Sequence, residues 1–144
     1  MAMAERSATT SWEGDLAHGN GVLSGASGAL GDLPVTWASR TERSDGKTSP
    51  EELIAAAHTA CFAMQFSALL GAASGSGQSL EVTADVRLGP DPAGGFRIGG
   101  VTLTVSGSAE GVSAEDFARI AQEAKSSCPV SKALAGTDIA LVVR

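Results

Sequence analysis

The chain has 144 residues, about the size of one folded domain, and 43% of them are hydrophobic while 18% are charged. This composition excludes a largely disordered protein. The net charge of −6 argues against a nucleic-acid-binding surface, because phosphate groups are neutralised by an excess of Lys and Arg. We therefore expect a single domain over residues 1–144 with no nucleic-acid partner.

Two features of the sequence bear on location. The start MAMAERSATT has no basic segment followed by an apolar run, so it does not resemble a secretory signal and we expect a cytoplasmic protein. The longest apolar stretch, residues 53–73, has membrane-spanning length but is rich in Ala and contains polar residues such as His58 and Gln65. We interpret it as a buried helix of a soluble protein, with no membrane partner.

The first 43 residues are typical of a strand meander. Short β-prone pieces, TTSWEGD, GVLSG and LPVTWASR, are separated by residues 18–21 and by residues 28–32, which tolerate positive φ. We expect turns at both places. Arg40 then falls at the end of the third strand.

A long helix is predicted after the meander. Ser49 can serve as its N-cap, Pro50 suits the first helical position, and Glu51 and Glu52 favour the positive helix end. The helix should run to about Ala73, where glycines interrupt the pattern. Nearly every face is apolar or small, which predicts burial all round rather than on one stripe.

The second half of the chain alternates between strand and helix patterns. Two alternating segments, SLEVTADVRL and FRIGGVTLTVSGSA, are joined by GPDPAGG and predict a long β-hairpin. Ser113 then caps an amphipathic helix with Phe117, Ile120 and Ala124 at helical spacing. A short CPVSKAL helix and a last strand, DIALVVR, complete an α+β fold.

Two cysteines are the first candidates for chemistry, as free thiols or as a working redox pair. Cys61 lies in the middle of the long helix, where a free cysteine often packs as a small apolar group and burial raises its pKa. Cys128 precedes Pro129 at a predicted helix start, where backbone N–H groups and the helix dipole favour a thiolate. Local electrostatics thus nominate Cys128, not Cys61, as the more acidic thiol.

Other polar residues have ordinary structural explanations. His58, three residues before Cys61, is within reach as a base, but a packed core histidine is the favoured interpretation. The Cys and His spacings match no metal site, and no nucleotide-binding motif is present, so we expect no metal and no cofactor. Taken alone, Arg40 is a strand-end charge and Glu51 a first-turn helix acid.

A family resemblance changes this ranking. The segment SPEELIAAAHTACFAMQFSALL, followed 67 residues after its cysteine by SCPVSKAL, resembles the OsmC/Ohr family of organic hydroperoxide reductases. WEGDLAHGNGVLS and TADVRL extend the resemblance over almost the whole chain and favour the osmotically inducible protein C branch. The resemblance implies an OsmC-like fold that forms an intertwined homodimer with sites at its interface.

The resemblance also implies a mechanism. Cys61 would attack a hydroperoxide and become a sulfenic acid, Cys128 would close a disulfide with it, and an external dithiol, for which a lipoyl-type reductant is the natural choice, would reopen the bond. Arg40 and Glu51 match the arginine and glutamate that the family places beside the reactive thiol. In the Ohr branch the arginine comes from the N-terminal region, but this chain has no arginine between Ser7 and Ser39.

Substrate and assembly follow from the same hypothesis. We expect Leu53, Phe62 and Phe66 to line an apolar pocket for the alkyl group of an organic hydroperoxide. Glu51 lies ten residues before Cys61, so about 15 Å would separate them on one straight helix. Either the helix breaks or Glu51 serves a site on another subunit, and we therefore expect an obligate dimer.

Two alternative functions remain open at this point. One is a non-enzymatic redox-sensing or small-molecule-binding dimer whose disulfide forms reversibly but turns over poorly. The other is a structural dimer with inert, buried thiols. The rate at which peroxide oxidises the cysteines distinguishes the first alternative from an enzyme, and the second requires both cysteines to resist thiol reagents in the native state.

Overall fold

The computed structural model describes residues 1–144, which form two compact units, Met1–Leu53 and Ile54–Arg144. Each unit contains one three-stranded sheet. The long helix begins in the first unit and continues in the second. The mixed helix and strand content confirms the predicted α+β class.

The first unit contains β1 (Ala8–Glu13), β2 (Asn20–Gly25), β3 (Leu33–Val35), α1 (Trp37–Thr41) and the start of α2 (Pro50–Ala72). Its strands pair in the antiparallel order β1-β2-β3, which confirms the meander.

The two turns of the meander differ in how well they were predicted. The second turn is confirmed, with Gly28 at φ +85° and Asp32 at φ +44°. The first turn lies earlier than residues 18–21, because β2 already begins at Asn20. Asp15 stabilises this earlier turn, since its carbonyl accepts from the Gly19 N–H at 2.8 Å and its carboxylate accepts from the His18 N–H at 2.7 Å.

The segment LPVTWASR is not one strand, so the predicted position of Arg40 at a strand end is wrong. β3 stops at Val35, and Thr36 caps helix α1 instead. The Ser39 N–H donates to Thr36 Oγ1 at 3.0 Å, while the Thr36 N–H donates to Ser39 Oγ at 2.9 Å. This reciprocal pair is a capping box, which ends the extended backbone and places Arg40 in the last turn of a helix.

The second unit contains the rest of α2 and five further elements: β4 (Ser76–Pro90), β5 (Phe96–Glu110), α3 (Ala114–Ser127), α4 (Pro129–Ala133) and β6 (Asp138–Val143). β4 and β5 form the predicted antiparallel hairpin, and β6 pairs parallel to β5, so the chain crosses between them through α3 and α4. Buried side chains of α2, β5 and α3 form the hydrophobic core of this unit.

Helix α2 is continuous over 23 residues and begins as predicted. Ser49 Oγ accepts from the Glu52 N–H at 3.2 Å, and Pro50 is the first helical residue. By length and composition α2 is the one helix of the chain that could span a membrane. Its contacts with α3 are those of a core helix: the Phe66 and Phe117 rings lie 4.8 Å apart, and Gln65 donates to Ser127 Oγ at 2.9 Å.

Burial of α2 is confined to one stripe in the single chain. The buried positions are Glu51, His58, Phe62, Phe66 and Leu70. Five exposed positions with small or apolar side chains lie together on another face, namely Ala56, Ala57, Ala60, Met64 and Ala68. The long helix is therefore confirmed, but burial on every face is not reached within one chain.

Candidate active site

The two cysteines meet in the second unit although 67 residues separate them. Cys61 is half-buried on α2, Cys128 is fully buried before α4, and both are free thiols. Their Sγ atoms lie 3.0 Å apart. Since a disulfide bond is about 2.05 Å long, the sulfurs need to approach by only about 1 Å to form one.

Cys128 occupies the N-cap position predicted from Pro129. Its backbone is extended (φ −60°, ψ 125°), and Pro129 takes the first turn of α4. The Cys128 N–H donates to the Ala124 carbonyl at 2.9 Å and so closes α3, while the Cys128 carbonyl accepts from the Lys132 N–H at 3.0 Å and so opens α4. One residue thus ends one helix and begins the next, which places its sulfur beside the free N–H groups of α4.

The two thiols have opposite pKa shifts. Burial acts to raise the pKa of Cys128, but the neighbouring Cys61 thiol, the Ser131 N–H and hydroxyl and the Val130 N–H outweigh it, so the pKa is lowered, although no N–H of α4 makes a capping hydrogen bond to the sulfur. The pKa of Cys61 is raised, first by burial and then by the neighbouring Cys128. Cys128 is therefore the more acidic thiol, as local electrostatics predicted from the sequence.

His58 connects to this pair through Ser131. His58 is fully buried, and its Nε2 lies 2.8 Å from Ser131 Oγ, whereas its Nδ1 has no hydrogen-bond partner. Burial lowers the pKa of His58, which favours the neutral ring and argues against an imidazolium. The sequence analysis missed Ser131, although its position three residues after an N-cap is the spacing of a capping box.

Arg40 and Glu51 form an ion pair in the first unit. Arg40 Nε lies 2.9 Å from Glu51 Oε1 and 3.2 Å from Oε2, and Nη2 lies 2.9 Å from Oε1. The Glu51 side chain is 10% exposed and that of Arg40 31%. The Trp37 ring lies 6.0 Å from the guanidinium carbon. Glu51 and Trp37 together restrict the orientation of a cation that keeps access to solvent.

An apolar pocket of about 280 Å³ lies beside Arg40, within the first unit. The side chains that line it include Leu53 and both tryptophans of the chain. Its lining residues are Thr10, Trp12, Leu16, Leu23, Val35, Thr36, Trp37, Arg40, Pro50 and Leu53. The sequence analysis missed Trp12 and Trp37, whose common location in the N-terminal third was the available signal.

Phe62 and Phe66 do not line this pocket. Both are fully buried core residues, and their rings lie 5.6 Å apart. Their positions fall on the buried stripe of α2, so they pack into the second unit rather than against an open cavity. They lie outside the pocket beside Arg40, and their contact with a substrate stays a prediction.

No group of three or more His, Cys, Asp or Glu side chains comes together in a way that could hold a metal ion. The titratable groups that meet and are at least partly buried are the two thiols with the nearby His58 and, separately, the Arg40–Glu51 pair; the other ion pairs of the chain are exposed. The chemistry available to the side chains is therefore that of a dithiol and a fixed guanidinium.

Comparison with known proteins identifies the family. The model of the OsmC-like protein family matches residues 43–142, which contain both cysteines and Glu51. The chain is also 44% identical over 123 residues to peroxiredoxin OsmC of Escherichia coli strain K12, covering 85% of each protein. This chain belongs to the OsmC family.

Other OsmC-family proteins support the assignment. The organic hydroperoxide resistance protein OhrA of Bacillus subtilis strain 168 is 38% identical over 116 residues, covering 78% of each chain. The crystal structure of an OsmC organic hydroperoxide resistance protein from Legionella pneumophila gives a TM-score of 0.78 at 26% identity and covers 99% of this chain and 98% of its own. OhrB of Bacillus subtilis gives 0.75 at 28% identity and covers 96% and 98%. The predicted OsmC-like fold is thereby confirmed.

Proposed function

We propose that this OsmC-family chain is a thiol peroxidase that reduces organic hydroperoxides to alcohols, and hydrogen peroxide to water. The observation that carries the proposal is the pair of free thiols, Cys61 and Cys128, held 3.0 Å apart. The names of the Escherichia coli and Bacillus subtilis relatives, a peroxiredoxin and an organic hydroperoxide resistance protein, support the same reaction class.

The reaction has three steps. The Cys61 thiolate attacks one peroxide oxygen, the O–O bond breaks, and the alkoxide leaves and takes a proton to become an alcohol. Cys128 then attacks the Cys61 sulfenic acid, so that an S–S bond forms and water leaves. An external dithiol reduces the disulfide through a mixed disulfide and returns both thiols.

Exposure assigns the two roles. Cys61 is half-buried, whereas Cys128 has no exposed surface. A hydroperoxide therefore reaches the sulfur of Cys61 more readily than that of Cys128. Cys128 needs to react only with the Cys61 sulfur, which already lies beside it. This argument supports Cys61 as the attacking thiol, although Cys128 is the more acidic of the two.

Arg40 supplies the stabilisation that the Cys61 thiolate lacks. A guanidinium beside the sulfur lowers the pKa of a thiol and stabilises the departing alkoxide, and Glu51 orients the guanidinium. Because α2 is unbroken, ten residues of helical rise, about 15 Å, separate Glu51 from Cys61 along the helix. Because the helix is not broken, Glu51 and Cys61 of one chain cannot share a site. We therefore assign Arg40 and Glu51 at each site to a second copy of the chain.

The exposed face of α2 supports a homodimer. This face carries four alanines and Met64, whose exposed fraction is 69%. Small side chains allow a second helix to approach closely, and covering them would complete the burial expected for a helix that is apolar on every face. We propose that a second copy covers this face in an intertwined dimer.

The pocket beside Arg40 suits an alkyl group. Its lining is mostly aliphatic and aromatic, and about 280 Å³ accommodates a small organic chain. A peroxide bound there would place its alkyl part against Trp12, Trp37 and Leu53 and its polar end toward the guanidinium. We therefore propose that organic hydroperoxides are better substrates than hydrogen peroxide.

A coupled assay tests the whole proposal. Turnover of an alkyl hydroperoxide and of hydrogen peroxide is compared with a lipoyl reducing system and a thioredoxin system side by side, for the wild type and for Cys61→Ser. We expect fast turnover of the alkyl hydroperoxide with the lipoyl dithiol and none in Cys61→Ser. Oxidation of the wild type no faster than that of a free thiol would instead favour a redox sensor or binding protein.

A further inference from the structure

A buried chain of polar contacts runs from helix α2 to the sulfur of Cys128. His58 is fully buried and Ser131 is 7% exposed. His58 Nε2 lies 2.8 Å from Ser131 Oγ, and the Ser131 hydroxyl is close enough to the Cys128 thiol to lower its pKa. Neither His58 nor Ser131 has a part in the three steps above, yet both lie directly behind the thiol that performs the second step.

The protons along this chain can be assigned. Nδ1 of His58 is buried without a partner, and a bare ring nitrogen is tolerated there better than an unpaired N–H. The proton of the neutral ring therefore sits on Nε2 and is donated to Ser131 Oγ. Because that oxygen is now an acceptor from His58, its own hydrogen is free to point at the Cys128 sulfur.

The helix geometry leads to the same arrangement. Cys128 is the N-cap of α4 and Ser131 is the third residue after it, which is the spacing at which a cap and a side chain face each other in a capping box. His58 approaches from α2, one turn before Cys61. The Cys128 sulfur thus contacts Cys61, while Ser131 lies near it in the first turns of α4.

We propose that Ser131, oriented by His58, is a positioning residue that holds the Cys128 sulfur as the attacking thiolate when the disulfide closes. The inference rests on the proposed peroxidase function and concerns its second step. The Cys128 thiolate donates its electron pair to the Cys61 sulfur, the S–S bond forms, and the S–O bond of the sulfenic acid breaks. Hydroxide leaves and takes up a proton to become water, so no further oxidant or reductant is needed.

Few other groups influence this thiolate. The titratable groups that face Cys128 and Ser131 from the packed elements of the second unit are Cys61 and His58. Lys125 is directed to the Ile139 carbonyl at 3.1 Å, and Lys132 is exposed. A change in Cys128 acidity on altering Ser131 therefore reports the hydroxyl itself.

The test uses Ser131→Ala, with Ser131→Thr as the conservative variant that keeps a hydroxyl. Thiolate absorbance against pH, measured in the Cys61→Ser background so that one thiol titrates, should show a Cys128 pKa about one unit higher in Ser131→Ala, equivalent to a tenfold loss of thiolate. At a pH below both pKa values, the tenfold loss of thiolate is partly offset, because a more basic thiolate is a better nucleophile. Disulfide closure should therefore slow by only about threefold. Above both values it should close about threefold faster.

This reversal with pH separates the inference from a general loss of structure, which would slow closure at every pH. His58→Leu should behave like Ser131→Ala, while His58→Gln, whose amide N–H can replace Nε2–H, should restore wild-type closure. Ser126→Ala is the matched control, because Ser126 is exposed and bonds only to the Gln122 carbonyl.

Rapid mixing with one equivalent of alkyl hydroperoxide measures both steps in one experiment. Peroxide consumption reports the attack by Cys61, and trapping of the sulfenic acid reports its conversion to disulfide. Slow peroxide consumption in the wild type would overturn the proposed function. Fast consumption, combined with an unchanged Cys128 titration and unchanged closure in Ser131→Ala, would overturn the role of Ser131 alone.

Discussion

Replacing Glu51 by Gln should show how strongly the Arg40 guanidinium depends on its partner. Arg40 uses both Nε and Nη2 to contact the carboxylate, with nitrogen to oxygen distances of 2.9 to 3.2 Å. Glutamine keeps one carbonyl oxygen and loses the charge, so the paired, planar arrangement is lost. Arg40 then regains part of the roughly 2 kcal/mol of rotamer entropy of its side chain.

The size of the effect follows from these contacts. If Arg40 must give up about 1.4 kcal/mol of this rotamer entropy to stabilise the transition state, the oxidation of Cys61 should slow about tenfold. Stability should fall by about 1 to 2 kcal/mol, between the values for surface and for buried ion pairs, because Glu51 is 10% exposed and Arg40 31% exposed. Urea denaturation at fixed protein concentration measures the second quantity.

A double-mutant cycle decides whether the effect passes through Arg40. Single-turnover oxidation of Cys61 is measured in Glu51→Gln, Arg40→Ala and the double variant, and the double variant should be no slower than Arg40→Ala. Asp45→Asn is the control, since it removes an exposed partner of Arg43 at 3.5 Å and should leave the rate unchanged. Additive effects, or a Glu51→Gln variant as fast as the wild type, would refute the reasoning.

Three further predictions concern the second unit. In Cys128→Ser the first equivalent of peroxide should still oxidise Cys61 to the sulfenic acid, and a second equivalent should oxidise it further to the sulfinic acid, detectable by mass spectrometry; exclusive recovery of the sulfenic acid under excess peroxide would count against the resolving role of Cys128. Because the pKa of His58 is lowered in the folded state, that state binds fewer protons than the unfolded state. The contribution of His58 to the free energy of unfolding is therefore fully present above about pH 6.5 and is lost as the pH falls toward the pKa of the folded state. Below about pH 6.5, the free energy of unfolding measured by urea denaturation should change by up to about 1.4 kcal/mol per pH unit in the wild type, and this slope should be absent in His58→Gln. Equal slopes in the two proteins would show that another group is responsible. Ala60→Glu should dissociate the dimer in sedimentation experiments, whereas Ala93→Glu in the exposed β4–β5 turn should not, and a dimeric Ala60→Glu would exclude α2 as the interface.

Local signals predicted most of the fold. The N-caps Ser49 and Ser113, the prolines after Ser49 and Cys128, and the alternation in β4 and β5 act over a few residues, so each can be recognised without knowing the rest of the chain. Helix α1, which contains Arg40, was not predicted because the segment TWAS is compatible with either an extended backbone or a helix cap. The hydrogen bonds between Thr36 and Ser39 decide between them.

The site depends on contacts between distant residues, and those contacts have no local signal. Sequence position alone ranked Cys128 above Cys61 in acidity, and the structure gives the same order. Only the family resemblance paired the two cysteines. The core placement of Phe62 and Phe66 could not be predicted for a related reason, because a helix that is apolar on every face does not indicate which face meets the core.

The short distance between the two sulfurs also bears on signalling. A disulfide that forms when sulfurs 3.0 Å apart approach by about 1 Å requires no helix to unwind and no strand to change register. A partner protein that recognised the oxidised form would therefore find almost the same surface on the reduced form. Such a dithiol is better suited to passing two electrons from a reductant to a peroxide, many times over, than to reporting the redox state of the cell.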